Sequence, residues 1–222
     1  MQRIKEIKNV NPKAMKKSSI NFLFIIISVI LLSSCAGPYH AISPGQISYY
    51  ANSNIDELDF SYKYNVMIER RNKKYARKEV RSGMNLVAVR ITNKSSQKLV
   101  VKDDITFYSN GQPFIPMEPK VYTNAVKQQA GFYLFYLLLT PITFNTYDEY
   151  GNTESSTPIG LFIGPGIALG NLIGASQANQ NMLREIEREN IINKTIEPGQ
   201  SVSGLMVVPG FASSSLTIDL ND

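Results

Sequence analysis

Two stretches of the chain have the sequence pattern of β-strands, one by alternation of apolar and polar residues and one by its composition. In the first stretch, 58–64, Leu, Phe and Tyr occupy every second position. The second stretch, 86–92, is rich in β-branched residues, which favour strands. Its period of two places Val87, Val89 and Ile91 on one face of the strand, and Leu86 and Ala88 on the other.

Further short strands and turn signals lie on both sides of a long middle region. Asn110-Gly111 is a hairpin signal, and Pro198-Gly199 suits a type II turn because proline presets φ and glycine accepts a positive φ. About seven or eight short strands predict a mainly β fold, an antiparallel sandwich. The remaining strands are predicted at 99–101, 105–108, 195–197, 201–208 and 215–220.

The middle region, 119–193, breaks the strand pattern and predicts a helical insertion. Helical spacing of apolar residues runs over 121–139, and Pro141 is expected to end that helix because proline removes a backbone donor. Residues 145–157 are polar and predict a loop, whereas 181–190 predicts a charged helix. The predicted fold is therefore a sandwich interrupted by a helical region.

An apolar, glycine-rich stretch at 158–175 lies inside the insertion. Gly166, Gly170 and Gly174 recur every four residues, so they clear one helix face and allow a second helix to approach closely. Pro165 argues against a continuous spanning helix and favours a helix that starts near it. Two roles are open for these three glycines, named here the glycine stripe. They could pack on the chain's own domain, or they could contact a membrane or an oligomer partner.

An aromatic run at 131–144 forms the other apolar part of the insertion. Phe132 and Phe135 belong to it, and aromatic residues fall on several faces of the predicted helix. The run is shorter than the ~20 residues of a spanning helix, so it indicates a buried or interfacial segment. Together with 158–175 it is expected to form an apolar hairpin, packed in the core or turned toward a partner or membrane.

Residues 1–34 carry the whole of the formal net charge of +5. The chain has 23 basic and 18 acidic residues, of which six basic and one acidic lie in 1–34, leaving 17 of each in 35–222. Lys16 and Lys17 precede an apolar run at 20–32, which is typical of a cleaved signal peptide. Translation starting at Met15 instead of Met1 would give this peptide an ordinary length. The remaining chain is formally neutral, so nucleic-acid binding is not indicated.

The apolar run ends in Leu32-Ser33-Ser34-Cys35, which resembles the lipobox of bacterial lipoprotein precursors. The resemblance implies cleavage between Ser34 and Cys35, a diacylglyceryl group on the Cys35 thiol and an acyl chain such as palmitate on the new amine. Two or more chains give stable membrane anchoring. Ala36 follows in place of the aspartate that marks inner-membrane retention, so the resemblance implies the outer membrane, facing the periplasm.

The sequence around the predicted strands resembles the immunoglobulin-like domains of envelope lipoproteins. It has Asn-Lys-Ser-Ser between two strands at 93–96, and Pro-Gly-Gln-Ser-Val-Ser-Gly before another at 198–204. The resemblance covers 56–118 and 194–222, and leaves 35–55 as a lipidated tether. It implies a sandwich with an inserted, apolar and glycine-rich helical region.

A basic run at 70–81 is a candidate for contact with anionic lipid. It includes Arg70, Arg71, Lys73 and Lys74. A basic residue near an anionic membrane surface contributes about 1 kcal/mol. The alternative is a solvated hairpin whose charges protect an edge strand from aggregation.

Candidate chemistry is sparse in this sequence. The single cysteine would be lipidated, and the single histidine, His40, lies in the expected tether. Glu185 and Arg188 are predicted to form a modest surface pair. We therefore expect no metal site, no cofactor and no enzymatic activity. The expected role is binding of an envelope protein partner or a structural task. The first alternative is membrane insertion or oligomerisation through the glycine-rich hairpin, and the second is an envelope enzyme with an unrecognised site.

Overall fold

The computed structural model describes residues 35–55, 57–210 and 214–221. The predicted signal peptide, 1–34, and the cleavage site after Ser34 lie outside the described residues. The strands are β1 (Ala51–Ile55), β2 (Leu58–Lys63), β3 (Met84–Asn93), β4 (Leu99–Val100), β5 (Ile105–Ser109), β6 (Gln112–Phe114), β7 (Phe144–Tyr147), β8 (Thr153–Thr157), β9 (Thr195–Ile196), β10 (Ser201–Pro209) and β11 (Leu216–Leu220). The α-helices are α1 (Val66–Glu69), α2 (Lys73–Ser82), α3 (Val101–Asp104), α4 (Pro119–Val126) and α5 (Gly160–Arg188).

Two antiparallel sheets share one hydrophobic cluster. The larger sheet has the order β1-β2-β3-β10, and the smaller has the order β11-β5-β6. Phe60 and Val89 of the larger sheet and Phe107 and Ile218 of the smaller one belong to this cluster, and each is at most 3% exposed. The rings of Phe60 and Phe107 meet edge to face, with their centroids 6.4 Å apart.

The opposite face of the larger sheet is covered by helices. Leu86 and Ala88 on β3 and Val207 on β10 pack in a second cluster with residues of α1, α2, α4 and α5. The predicted division of β3 into two faces is confirmed, because Val87, Val89 and Ile91 lie in the first cluster and Leu86 and Ala88 in the second.

The fold is mixed α/β, so the mainly β prediction is wrong as a class. The antiparallel sheets and one long apolar helix are confirmed. The helices contribute more to the fold than the strand pattern predicts, because their apolar residues cover one face of the sheet and form a second core. Both faces of β3 are thus buried, which accounts for its nearly continuous apolar run.

The middle region differs from its predicted elements in three places. The expected helix over 121–139 is α4 followed by a 3-10 helix, Ala130–Leu139. The predicted loop at 145–157 contains most of the β7–β8 hairpin. One helix, α5, begins five residues before Pro165 and continues through the charged stretch. Gly164 and Ala168, on either side of the proline, are buried.

Candidate functional site

The 3-10 helix, the β7–β8 hairpin and the first half of α5 form an apolar lobe, residues 130–173. The 3-10 helix packs mainly on α5, and the two hairpin strands pack mainly on each other. Large apolar side chains that are at least 42% exposed are concentrated here: Phe132, Leu134, Phe135, Leu137, Leu138, Ile142, Phe144, Tyr147, Tyr150, Leu161, Phe162, Ile163, Leu169 and Ile173. Contiguous exposed apolar surface of this kind marks an interaction site.

The aromatic residues of the 3-10 helix form a buried pair and an exposed pair, and the two members of each pair are three residues apart. With three residues per turn, positions i and i+3 lie directly above each other. Tyr133 and Tyr136 are buried and stack with their rings 8° from parallel, whereas Phe132 and Phe135 stack on the exposed side with centroids 6.0 Å apart. The expected contact residues Phe132 and Phe135 are thus 62% and 64% exposed.

Two glycines outside the predicted stripe allow the lobe to close. A Cβ on Gly160 would lie 2.1 Å from the Leu139 carbonyl oxygen, and one on Gly164 would lie 2.9 Å from Thr140 Oγ1. Only glycine permits the 3-10 helix to approach α5 this closely. The sequence pattern did not predict this role, because Gly160 and Gly164 fall outside the repeat of Gly166, Gly170 and Gly174.

The predicted stripe does not mediate helix packing within the described chain. A Cβ on Gly166 or Gly170 would meet nothing within 4 Å, and one on Gly174 would lie 3.7 Å from the Cβ of Ala36. The alternative that these glycines pack on the chain's own domain is therefore wrong for Gly166 and Gly170. Both are exposed.

Residues 36–46, named here the N-terminal strap, begin beside the base of the lobe. The Ala36 amide donates to Asn171 Oδ1 at 2.6 Å. Gln128 forms two hydrogen bonds with Gly37, accepting from its amide at 3.0 Å and donating to its carbonyl at 2.7 Å. The backbone of Gln128 is in turn paired with the side-chain amide of Asn179 on α5.

Glu185 holds the middle of the strap. Its carboxylate is 4% exposed and accepts from the amides of Ile42, at 2.9 and 3.1 Å, and Ser43, at 3.0 Å. It also accepts from the Tyr39 hydroxyl at 2.5 Å. Burial, and secondarily this bond, raises the pKa of Tyr39 far above its ordinary value. Glu185 was expected in a surface pair with Arg188, but Arg188 pairs with Glu189.

The strap differs from the loose tether expected for this segment. Ile42 is fully buried, and Asn72 forms two 2.8 Å hydrogen bonds with the backbone of His40, one to its amide and one to its carbonyl. The side chain of His40 is exposed. A lack of periodicity predicted irregular backbone, but irregular backbone can still be packed when side chains elsewhere satisfy its polar groups.

The basic run is helical, so the hairpin alternative is wrong. Arg70 and Arg71 form the turn between α1 and α2, and Lys73 and Lys74 open α2. Arg71 has a φ of 62°, a value that fits a tight turn. The aliphatic stem of Lys74 lies 3.6 Å from the point where a Cβ on Gly37 would stand.

A second buried carboxylate, Glu79, lies on the inner face of α2. It is 7% exposed and accepts from the Leu86 amide and the Tyr122 hydroxyl, both at 2.8 Å. Burial raises the pKa of Glu79 to about 7, although both hydrogen bonds oppose the shift. A raised carboxyl pKa is common at catalytic sites. Here, however, the known partners of both carboxylates are groups of the chain's own core and strap.

The cavities differ in their ionisable groups, and one beside the strap is lined by Tyr39, Arg184, Glu185 and Arg188. An open groove on the sandwich is lined mainly by apolar side chains such as Phe107, Phe114 and Ile115, and its ionisable lining residue is Lys102. Within the described residues, no three His, Cys, Asp or Glu side chains are grouped to hold a metal ion.

Within the described part of the chain, one helix, α5, is long and apolar enough by length and composition to cross a membrane. Only 22% of its most apolar window is buried. Comparison with known proteins finds no matching family model, no similar curated protein and no similar solved structure.

Proposed function

We propose that this protein is a bacterial envelope lipoprotein, anchored through lipid on Cys35 and held against the membrane surface by the apolar lobe. Its role is non-enzymatic: the lobe fixes the folded body at the membrane, and the sandwich faces away for structural or binding tasks. The observation that carries the proposal is the position of Ala36, hydrogen-bonded to Asn171 at the base of the exposed apolar surface.

The covalent chain links the proposed anchor to the lobe. Consecutive Cα atoms are 3.8 Å apart, so the residue before Ala36 starts within a few ångströms of Asn171. Acyl chains on Cys35 would therefore enter the membrane beside the first half of α5.

The charges on the hairpin favour lying in the interface over tip-first insertion. Asp148, Glu149 and Glu154 lie in the turn and strand at the end of the lobe, and all three are exposed. Each carboxylate at the bilayer centre costs about 2.5–3.5 kcal/mol. Burying one Phe or Leu side chain gains about 1.5–3 kcal/mol, so an interfacial position keeps that gain and avoids the cost.

We also propose that the sandwich is immunoglobulin-like. The chain passes from β3 in the larger sheet to β5 in the smaller one, and again from β10 to β11. The pairing β2-β3-β10 corresponds to strands A, B and E of that fold, and β11-β5 to strands F and C.

The chain lacks tryptophan, so a single introduced tryptophan reports its own depth. We expect Phe162→Trp and Phe135→Trp, in the lipidated protein reconstituted into phosphatidylcholine vesicles, to emit at shorter wavelength than in water. Lipids brominated near the headgroup end of the acyl chain should quench both more strongly than lipids brominated at the chain end.

In two control variants the introduced tryptophan is expected to stay in water. Ile115→Trp lies on the sandwich at a position 89% exposed, and Tyr150→Trp lies at the hairpin turn at a position 90% exposed. Neither should be quenched by acyl-chain bromine. Equal quenching at Phe162→Trp and Ile115→Trp, or none at either, would contradict the proposal that the lobe holds the protein against the membrane.

The lipid anchor has a separate test. The intact mass of protein extracted from membranes should lack residues 1–34 and should include a diacylglyceryl group. An unmodified Cys35, or a mass that retains 1–34, would contradict the anchor.

A second candidate is that a protein partner or another copy of the chain covers the lobe. The open face at Gly166 and Gly170 favours it, since a Cβ there would meet nothing within 4 Å. A photocrosslinker at Phe162 in native envelopes distinguishes the two, because it would attach to protein if the partner is protein and mainly to lipid if the lobe rests in the membrane.

A further inference from the structure

We propose that a basic collar at the foot of the lobe, formed by Lys73, Arg77, Lys78 and Lys127, binds anionic lipid headgroups and sets the orientation of the body on the membrane. The inference rests on the proposed function, since it assumes that the lobe is seated in a membrane. The evidence for the collar itself is the position of these four basic residues beside the strap and the lobe.

The collar adjoins both the strap and the lobe. The Lys78 ammonium donates to the Lys127 carbonyl, which ties α2 to the end of α4. The next residue after Lys127 is Gln128, which holds Gly37, and the 3-10 helix of the lobe begins two residues later. Lys74, one turn before Lys78, runs beside Gly37. Positive charge therefore lies where the chain leaves the proposed anchor.

The basic side chains of the collar are at least partly exposed, and within the described residues no ion pair with an acidic side chain neutralises them. Lys73, Arg77 and Lys127 are exposed, and Lys78 is partly exposed. The acidic residue on α2, Glu79, points into the core and accepts from Tyr122.

The neighbouring acid on α1 is also engaged elsewhere. Glu69 is in a 2.8 Å ion pair with Lys63. Flexible lysine ammonium groups suit the phosphates of a fluid headgroup layer, which offers no fixed geometry. The partner that fits is therefore a surface of anionic phospholipid, such as phosphatidylglycerol.

The test uses Val80→Trp in the lipidated full chain. Val80 is 84% exposed and lies one turn after Arg77 on α2. With headgroup-spin-labelled lipid as quencher, we expect stronger quenching in vesicles of phosphatidylcholine with phosphatidylglycerol than in phosphatidylcholine alone. Raising NaCl to molar concentration should abolish the difference, because salt screens surface charge.

A charge variant tests the assignment. Lys73→Gln with Arg77→Gln should weaken contact of the collar with anionic vesicles by about 30-fold, since each charge near such a surface contributes about fivefold in the equilibrium. The matched control, Lys98→Gln with Lys102→Gln on the sandwich, should leave the quenching at Val80→Trp unchanged.

The outcomes separate the two proposals. Quenching at Val80→Trp that is indifferent to phosphatidylglycerol, or equal effects of the two charge variants, would overturn the collar. The seating of the lobe is read independently from bromolipid quenching at Phe162→Trp, which should be the same in both lipid mixtures.

Discussion

At the scale of single residues, Glu79 and Glu185 are two buried carboxylates that bind different parts of the chain. Glu185 accepts three hydrogen-bond donors from the strap, whereas Glu79 accepts one amide from β3 and one hydroxyl from α4. The difference matters for pH, because burial dominates at Glu79 and raises its pKa to about 7.

Stability should fall as the pH rises between the ordinary pKa of a glutamic acid, 4.5, and about 7. In this window the unfolded chain releases the proton of Glu79 and the folded chain keeps it, which costs about 1.4 kcal/mol per pH unit and ~3 kcal/mol in all. Glu79→Gln should lose this decline in urea unfolding followed from pH 4.5 to 8. The exposed Glu187→Gln is the control and should keep it. An unchanged slope in Glu79→Gln would refute the assignment.

At the scale of elements, the contact between the 3-10 helix and α5 depends on where glycine stands. Gly160 and Gly164 lie under backbone and side-chain atoms of 136–142, and Gly166 and Gly170 lie in open space. The regular glycine spacing is thus independent of the packing that holds the lobe together.

Substitution of the two kinds of glycine should have opposite effects. Gly160→Ala forces a Cβ against the Leu139 carbonyl and should destabilise the lobe by about 1–3 kcal/mol, the usual cost of overpacking. Gly166→Ala meets nothing and should stabilise α5 by up to about 1 kcal/mol through helix propensity. Hydrogen exchange of the amides in 130–139 measures both. Equal protection in the two variants would show that close approach at Gly160 is unimportant.

At the scale of the whole molecule, the strap joins the start of the folded chain to the helical layer. Ala36, Gly37 and Ile42 are held by residues from three places in the sequence, namely Asn171, Gln128 and Glu185. A lipid anchor on such a strap would have a defined position relative to the lobe, whereas one on a loose tether would not.

Removing the carboxylate should release the strap. Glu185→Ala leaves the amides of Ile42 and Ser43 unpaired, and each lost bond to a charged group costs about 1.5–3 kcal/mol. We expect proteolytic cleavage after Tyr39 to accelerate at least tenfold. Glu187→Ala, on the exposed face of the same helix, is the matched control and should be cleaved at the native rate. Similar cleavage rates for both variants would argue against the strap.

Local patterns predicted β2, β3, β5, β10 and β11, but not β1, which lies in the expected tether, nor the β7–β8 hairpin, which lies mostly in an expected loop. The period of two in 86–92 assigned Val89 and Ala88 to opposite faces correctly, because alternation is a property of the strand itself. The spacing of apolar residues did not predict the mixed α/β class of the fold or the elements of the lobe. A 3-10 period over 130–139 and the β7–β8 hairpin are not visible in apolar spacing read for α-helices.

The sequence by itself determined the main strands, their turns and an apolar middle region with regularly spaced glycines. Only the tertiary structure decided which carboxylates hold the strap, which glycines permit close packing and which face of the lobe stays exposed. The physical reason is distance along the chain. Glu185 is 143 residues from Ile42, and Asn171 is 135 residues from Ala36, so no local periodicity records these contacts.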